Sequence, residues 1–192
     1  MKRRSPATPK KRRSAPSAAA STPRLKMILA EKEIRQRIRE MAKQINRDYQ
    51  GKTLHAVGIL DDCFMFMSDL VRALTIPVVC TFVRTVMRDS ESGRVAMREI
   101  MYIPPVDAAG KDILLVHGIL QSGVTLDHLC RTLYAQHPAS VRTATLLDKP
   151  EDRKVDVPVN YVGFKVAGKY VVGFGLGYHD QYRNFPYVAR RG

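Results

Sequence analysis

Ser122-Gly123-Val124-Thr125 follows an apolar run, Ile113–Val116, and opens a stretch of helical apolar spacing. Two hydroxyls three residues apart bracket a glycine there. The first turn of a helix has unpaired N–H groups and the positive end of the helix dipole, so an anion settles on it. Glycine lets the backbone come close to that anion. A plain Ser/Thr helix cap explains the same residues. Phosphate binding at Gln121–Thr125 and simple capping are therefore both open on these residues alone. Asp61-Asp62 closes another apolar run, Thr53–Leu60. Its carboxylates offer the hard oxygens that Mg²⁺ prefers. They could also cap the next helix. A histidine can exchange a proton near neutral pH, so His117 is a candidate base or an ordinary strand-end histidine.

The elements that must position these residues follow from periodicity. Ile34, Ile38, Met41 and Ile45 repeat at helical spacing, which predicts an amphipathic helix over residues 31–48 that stops by Gly51. Strands are expected at Thr53–Leu60, Pro77–Val86, Val95–Ile103, Ile113–Val116, Val141–Leu147, Tyr161–Phe164 and Tyr170–Phe174. Helices are expected at Cys63–Leu74, where methionine and phenylalanine read as core filling, and at Val124–Gln136. Arg88–Arg94 reads as a polar loop. Strands alternating with helices give an α/β fold, a parallel sheet flanked by helices. Ligands in such a sheet bind at the carboxyl ends of the strands, where Asp61-Asp62 and the His117–Leu126 loop fall.

The chain has 192 residues, 45% hydrophobic and 26% charged, which suits one globular domain and a tail. No apolar run approaches the roughly 18 residues that span a bilayer, so no membrane is expected. Cys63, Cys80 and Cys130 make no metal-type spacing, and buried, unpaired thiols in a reducing, cytoplasmic setting are expected. The net charge of +14 is uneven: residues 1–25 hold eight Lys/Arg and no acid, against 24 basic and 18 acidic residues in the rest. That Pro/Ser/Ala-rich tail is expected to be disordered, with residues 26–192 forming the domain. Its basic runs could contact nucleic acid, act as a targeting signal, or be a solvated extension.

The blocks strand-xxGxxxSGxTL, ATLLDKPEDRKVDV, NYVGF, KYVVGFGLGY and QYRNFPYV, spread over residues 28–188, resemble the hypoxanthine/guanine phosphoribosyltransferase family. The resemblance implies the Rossmann-like type I phosphoribosyltransferase fold, a parallel sheet with a small hood built from the two chain ends. It also implies a purine-salvage reaction: transfer of a 5-phosphoribosyl group to a 6-oxopurine, with Mg²⁺ and release of pyrophosphate. Dimers or tetramers are implied as well. On this likeness Gln121, Ser122, Gly123, Val124 and Thr125 hold the 5′-phosphate. Lys149 donates to the purine 6-oxo group, Tyr170 stacks on the base, Val171 reads its edge, and Arg183 lies near the pyrophosphate.

The likeness fails at several positions. His117 and Gly118 stand where the family has two ribose-binding acids, and Gln121 where it has the acid that assists proton transfer. Asp61-Asp62 replaces Lys-Gly in the pyrophosphate loop, where its carboxylates would exclude pyrophosphate, and Gly177 replaces a metal-binding Asp, next to His179 and Asp180. Thr85–Arg94 lacks the family's Ser-Tyr lid pair. The expected function is binding of a purine nucleoside monophosphate, GMP or IMP, with impaired phosphoribosyl transfer. Two alternatives stay open: an active enzyme with an altered metal site, and a nucleotide-responsive regulator that uses residues 1–25 on nucleic acid.

Overall fold

A computed structural model describes residues 25–88, 97–103, 106–168, 170–179 and 181–191. The elements are β1 (Leu25–Leu29), α1 (Glu31–Asp48), β2 (Leu54–Leu60), α2 (Phe64–Ala73), β3 (Val78–Arg88), β4 (Met97–Ile103) and β5 (Asp112–Leu120). They continue as α3 (Val124–Tyr134), β6 (Ser140–Asp148), a 3₁₀ turn (Pro150–Asp152), β7 (Tyr161–Lys165), β8 (Val171–Val172) and β9 (Val188–Arg191).

The main sheet runs in the order β4-β3-β2-β5-β6-β7. Five of its strands are parallel, and β4 returns antiparallel along β3. The central strand β5 is apolar on both faces because both are covered, as parallel sheets require. Leu114 and Val116 pack with Ile34, Ile38, Ile45, Phe66 and Leu70 of α1 and α2. Ile113 and Leu115 pack with Leu126, Leu129 and Leu133 of α3 on the other side. The α1 stripe is as its spacing predicts, with Ile34, Ile38, Met41, Ala42 and Ile45 buried. Its first turn is closed by Glu33, whose carboxylate accepts the Ala30 N–H at 2.8 Å. Its last turn is tied to the sheet by Asp48, which accepts from Tyr161 Oη at 2.7 Å and Arg142 Nη1 at 2.6 Å.

A second sheet, β1-β9-β8, joins the two ends of the described chain. Leu25, assigned to the tail by composition, is its first residue. Val188 and Phe174 continue the α1/α2 side of the core, so this hood sits on the main body. The strand expected over Tyr170–Phe174 shortens to two residues. Tyr170 and Phe174 both adopt positive φ, +54° and +50°, which turns the chain out of the ladder at each end. Cys63 and Cys130 are buried as expected, whereas Cys80 is exposed on β3. The basic tail before Leu25, most of the Arg88–Arg94 loop, and Asp180 lie outside the described residues. Among the described residues no helix is long and apolar enough to cross a membrane.

Candidate functional site

Parallel pairing carries β5 beyond Val116, through His117↔Thr145 to Leu120↔Asp148. His117–Leu120, expected in the loop, are therefore strand, because β6 supplies ladder partners to the end. The loop itself is Gln121–Gly123. Gly123 occupies the cap position of α3 at φ +80°, and a Cβ there would lie 2.5 Å from the Val155 carbonyl oxygen, so only glycine fits. The loop's carbonyls are turned onto the segment that follows β6. Leu120 O accepts from Lys149 N at 2.9 Å, and Ser122 O accepts from both Lys154 N and Val155 N at 3.0 Å. Gln121 O accepts from Arg153 Nη1 at 3.2 Å, while the other arm of Arg153 pairs with Asp148. The first turn of α3 has no carbonyl partners of its own. Ser122, Gly123 and Thr125 line a cavity of about 190 Å³ at that turn, together with His117 and Gln121. Val124 N donates to Ser122 Oγ at 3.4 Å, a long local cap that leaves most of the donor capacity to a ligand.

A larger cavity of about 470 Å³ adjoins it, lined by Lys149, Asp152, Tyr170, Val171, Ile119 and Leu176 among others. Lys149 follows the last residue of β6 and is only 3% exposed. Its ammonium pairs with Asp152 of the 3₁₀ turn. Tyr170 is 54% exposed, with its ring edge-on to Tyr178 at 5.4 Å. One wall thus offers a buried cation and the other an aromatic face. Gln121 and Asp62 line both cavities. Two cavities, one at the start of α3 and one between Lys149 and Tyr170, therefore meet at Asp62 and Gln121.

The model of the phosphoribosyl transferase domain matches residues 24–183. The chain belongs to the hypoxanthine/guanine phosphoribosyltransferase family. It is 40% identical over 167 residues to the hypoxanthine-guanine phosphoribosyltransferase of Dictyostelium discoideum, covering 85% of this chain and 93% of that one. It is 38% identical over 170 residues to the hypoxanthine phosphoribosyltransferase of Salmonella typhimurium, covering 86% and 94%. Among solved structures, a hypoxanthine-guanine phosphoribosyltransferase from Bacillus anthracis superposes with a TM-score of 0.81 at 30% identity, over 87% of this chain and 98% of that one. The Trypanosoma cruzi hypoxanthine phosphoribosyl transferase gives 0.80 at 30%, over 92% and 95%.

Asp61-Asp62 lies on the loop between β2 and α2. Neither carboxylate caps α2: the cap position is Cys63, with no side-chain hydrogen bond. The preceding Leu60–Asp61 peptide is cis. Asp61 pairs with Arg84 at 3.0 Å, and Asp62 pairs with Arg183 at 2.5 Å. Arg183 also donates to Gly175 O at 2.9 Å. Gly118 lies directly beneath this loop. A Cβ at 118 would run into the Asp62 carbonyl and lie 3.0 Å from Asp62 Cβ. Gly177 is covered in turn by the Arg183 guanidinium, 2.7 Å from the point a Cβ would occupy. His179 is exposed, its ring edge-on to Tyr178 at 4.2 Å.

The donors present do not suit Mg²⁺. Among the described residues no group of three or more His, Cys, Asp or Glu comes together as a metal site. Asp61 and Asp62 each face a different arginine, and a guanidinium competes directly with a divalent cation for carboxylate oxygens. Two contributors escaped the sequence reading. Asp152 is signalled only by its place three residues after Lys149 around a proline. Arg153, the link between the Gln121–Gly123 loop and β6, is one of many arginines in a basic chain.

Proposed function

We propose that the chain binds a purine nucleoside monophosphate, GMP or IMP, and that its phosphoribosyl transfer is weak or absent. The phosphate rests on Gln121–Thr125 at the start of α3. Lys149 donates to the 6-oxo group, Tyr170 stacks on the base and the Val171 backbone meets its edge. A buried ammonium selects an oxo over an amino substituent because it can only donate. Stacking on an aromatic face adds about 1–3 kcal/mol.

The observation that carries the second half is the Asp62–Arg183 pair, whose Asp62 lines both cavities. A pyrophosphate arriving there meets an arginine already neutralised and a carboxylate that repels it. One such unit-charge contact at about 4 Å is worth roughly 1 kcal/mol in water and about 4 at intermediate dielectric. Gln121 cannot take up a proton, and loss of a positioned acid or base lowers a rate roughly 10²–10⁴-fold. Steady-state turnover of hypoxanthine or guanine with phosphoribosyl pyrophosphate and Mg²⁺ should be at least 10²-fold below an ordinary family enzyme. In calorimetry GMP and IMP should bind and phosphoribosyl pyrophosphate poorly.

Identities of 36–40% to proteins named hypoxanthine or hypoxanthine-guanine phosphoribosyltransferase favour a second reading, an active salvage enzyme with altered metal handling. Ordinary turnover in the same assay would establish it and refute the first. A homodimer or tetramer is proposed for either case by likeness to the family. The eight basic residues before Leu25 favour nucleic-acid contact as an added role. A salt titration with and without residues 1–24 tests it, and unchanged binding on deletion rejects it.

A further inference from the structure

We propose that Asp62 receives the ribose hydroxyls of the bound nucleotide, so that a carboxylate from the loop after β2 makes the site selective for ribonucleotides over 2′-deoxyribonucleotides. This rests on the reading of the two cavities as the base and phosphate ends of one nucleoside monophosphate site.

The sugar of such a ligand joins the base to the 5′-phosphate and must lie where the two cavities meet. Of their lining residues only Asp62 and Gln121 are shared by both. A vicinal diol presents two O–H donors. An ionised carboxylate is acceptor-only, with two oxygens and about four lone-pair sites, and so matches a diol better than an amide does. Arg183 donates to Asp62 Oδ1 and leaves the carboxylate with further acceptor capacity. The same arginine is anchored on Gly175 O. The carboxylate is thus held in place before ligand arrives.

Gly118 supplies the complementary observation. No side chain can leave β5 at 118, because the Asp62 backbone occupies that space. Asp62 Cβ itself starts 3.0 Å from the point where a Cβ at 118 would be. An acid on the loop after β2 therefore reaches the region that an acid on β5 would otherwise reach. Asp62 and Gly118 form one spatial unit in which the carboxylate comes from the facing loop.

The test is calorimetric titration of the full-length protein with GMP and with 2′-deoxy-GMP. The wild type should bind GMP about tenfold or more tightly over its deoxy analogue, the scale of one hydrogen bond to a charged acceptor. Asp62→Ala should bring the two affinities together, and Asp62→Asn should fall between them. Ser122→Ala should weaken both nucleotides alike and keep the ratio. A ribo-to-deoxy ratio unchanged in Asp62→Ala would overturn the proposal. So would tighter binding of both nucleotides at an unchanged ratio, which would make Asp62 only a charge opposing the phosphate. If neither nucleotide binds wild type or variant, the nucleotide reading of the site falls and this inference with it.

Discussion

Gly118 lies against the backbone of Asp62 so closely that a Cβ on residue 118 would overlap the Asp62 carbonyl. Gly118 lies on β5 and Asp62 on the loop that follows the neighbouring parallel strand β2, at the carboxyl ends where an α/β sheet binds its ligand. Their contact makes the loop after β2 and the end of β5 interdependent.

Restoring an acid at 118 alone should therefore fail. Gly118→Asp is expected to destabilise the protein by about 1–3 kcal/mol, the usual range for overpacking a filled space. Adding Asp62→Gly should recover part of that loss by letting the loop relax. The coupling should exceed about 0.5 kcal/mol, as for residues in contact. Urea denaturation of the two single variants and the double variant measures it, and strict additivity would contradict the contact.

Arg153 should be more important for stability than its surface-like sequence context implies. Its pair with Asp148 is largely buried, the two side chains being 17% and 9% exposed. Arg153→Ala leaves Asp148 without that partner and frees the Gln121 carbonyl. The expected loss is about 3 kcal/mol, the low end for breaking a buried ion pair. Arg153→Lys keeps the charge but only one arm, and should lose less. Nucleotide affinity should fall in the alanine variant even at temperatures where it remains folded, because the phosphate loop loses its tie to the base side.

The sequence made visible what depends on local periodicity. The α1 stripe, the apolar β5 and the Ser122–Thr125 turn each carry a repeat or a glycine that one element requires. The hood was visible only through family likeness: β1, LKMIL, has no alternation to read, and β8 is two residues long. The extension of β5 through Gly118 was hidden because its cause is the ladder with β6, not its own residues. The Asp62–Arg183 pair joins residues 121 positions apart. A pair of that separation leaves no local pattern, so Asp62 reads first as a helix cap and otherwise as a metal ligand or a charge barrier. Cys80 broke the burial expectation because β3 leaves that face of the sheet uncovered.

Base selection should depend on Lys149. Lys149→Met keeps most of the volume of a 3% exposed side chain and removes its donors. Asp152, whose side chain is 46% exposed, can then turn to water, so the stability change should stay small. The affinity for IMP should fall about tenfold or more, as for a hydrogen bond from a charged donor. Binding of AMP, which offers an amino group at that position, should change little. Equal losses for IMP and AMP would mean that Lys149 shapes the pocket without reading the base.

The buried thiol beside the site gives a pH dependence of definite sign. Burial, with the Asp62 charge adding to it, pushes Cys63 from its ordinary 9.0 up to about 12. Above pH 9 the unfolded chain loses this proton while the native chain keeps it. The native state then binds more protons, so its stability falls as pH rises. The contribution is fully present below pH 9 and is lost progressively between about 9 and 12, at roughly 1.4 kcal/mol per pH unit. Cys130, raised by burial to about 11, and Tyr161, raised by burial and its bond to Asp48, act in the same direction. Urea midpoints at pH 8, 9, 10 and 11 should therefore decline, and Cys63→Ala should start lower but decline less steeply. Parallel curves for wild type and variant would show that Cys63 ionises as readily in the native protein as in the unfolded chain.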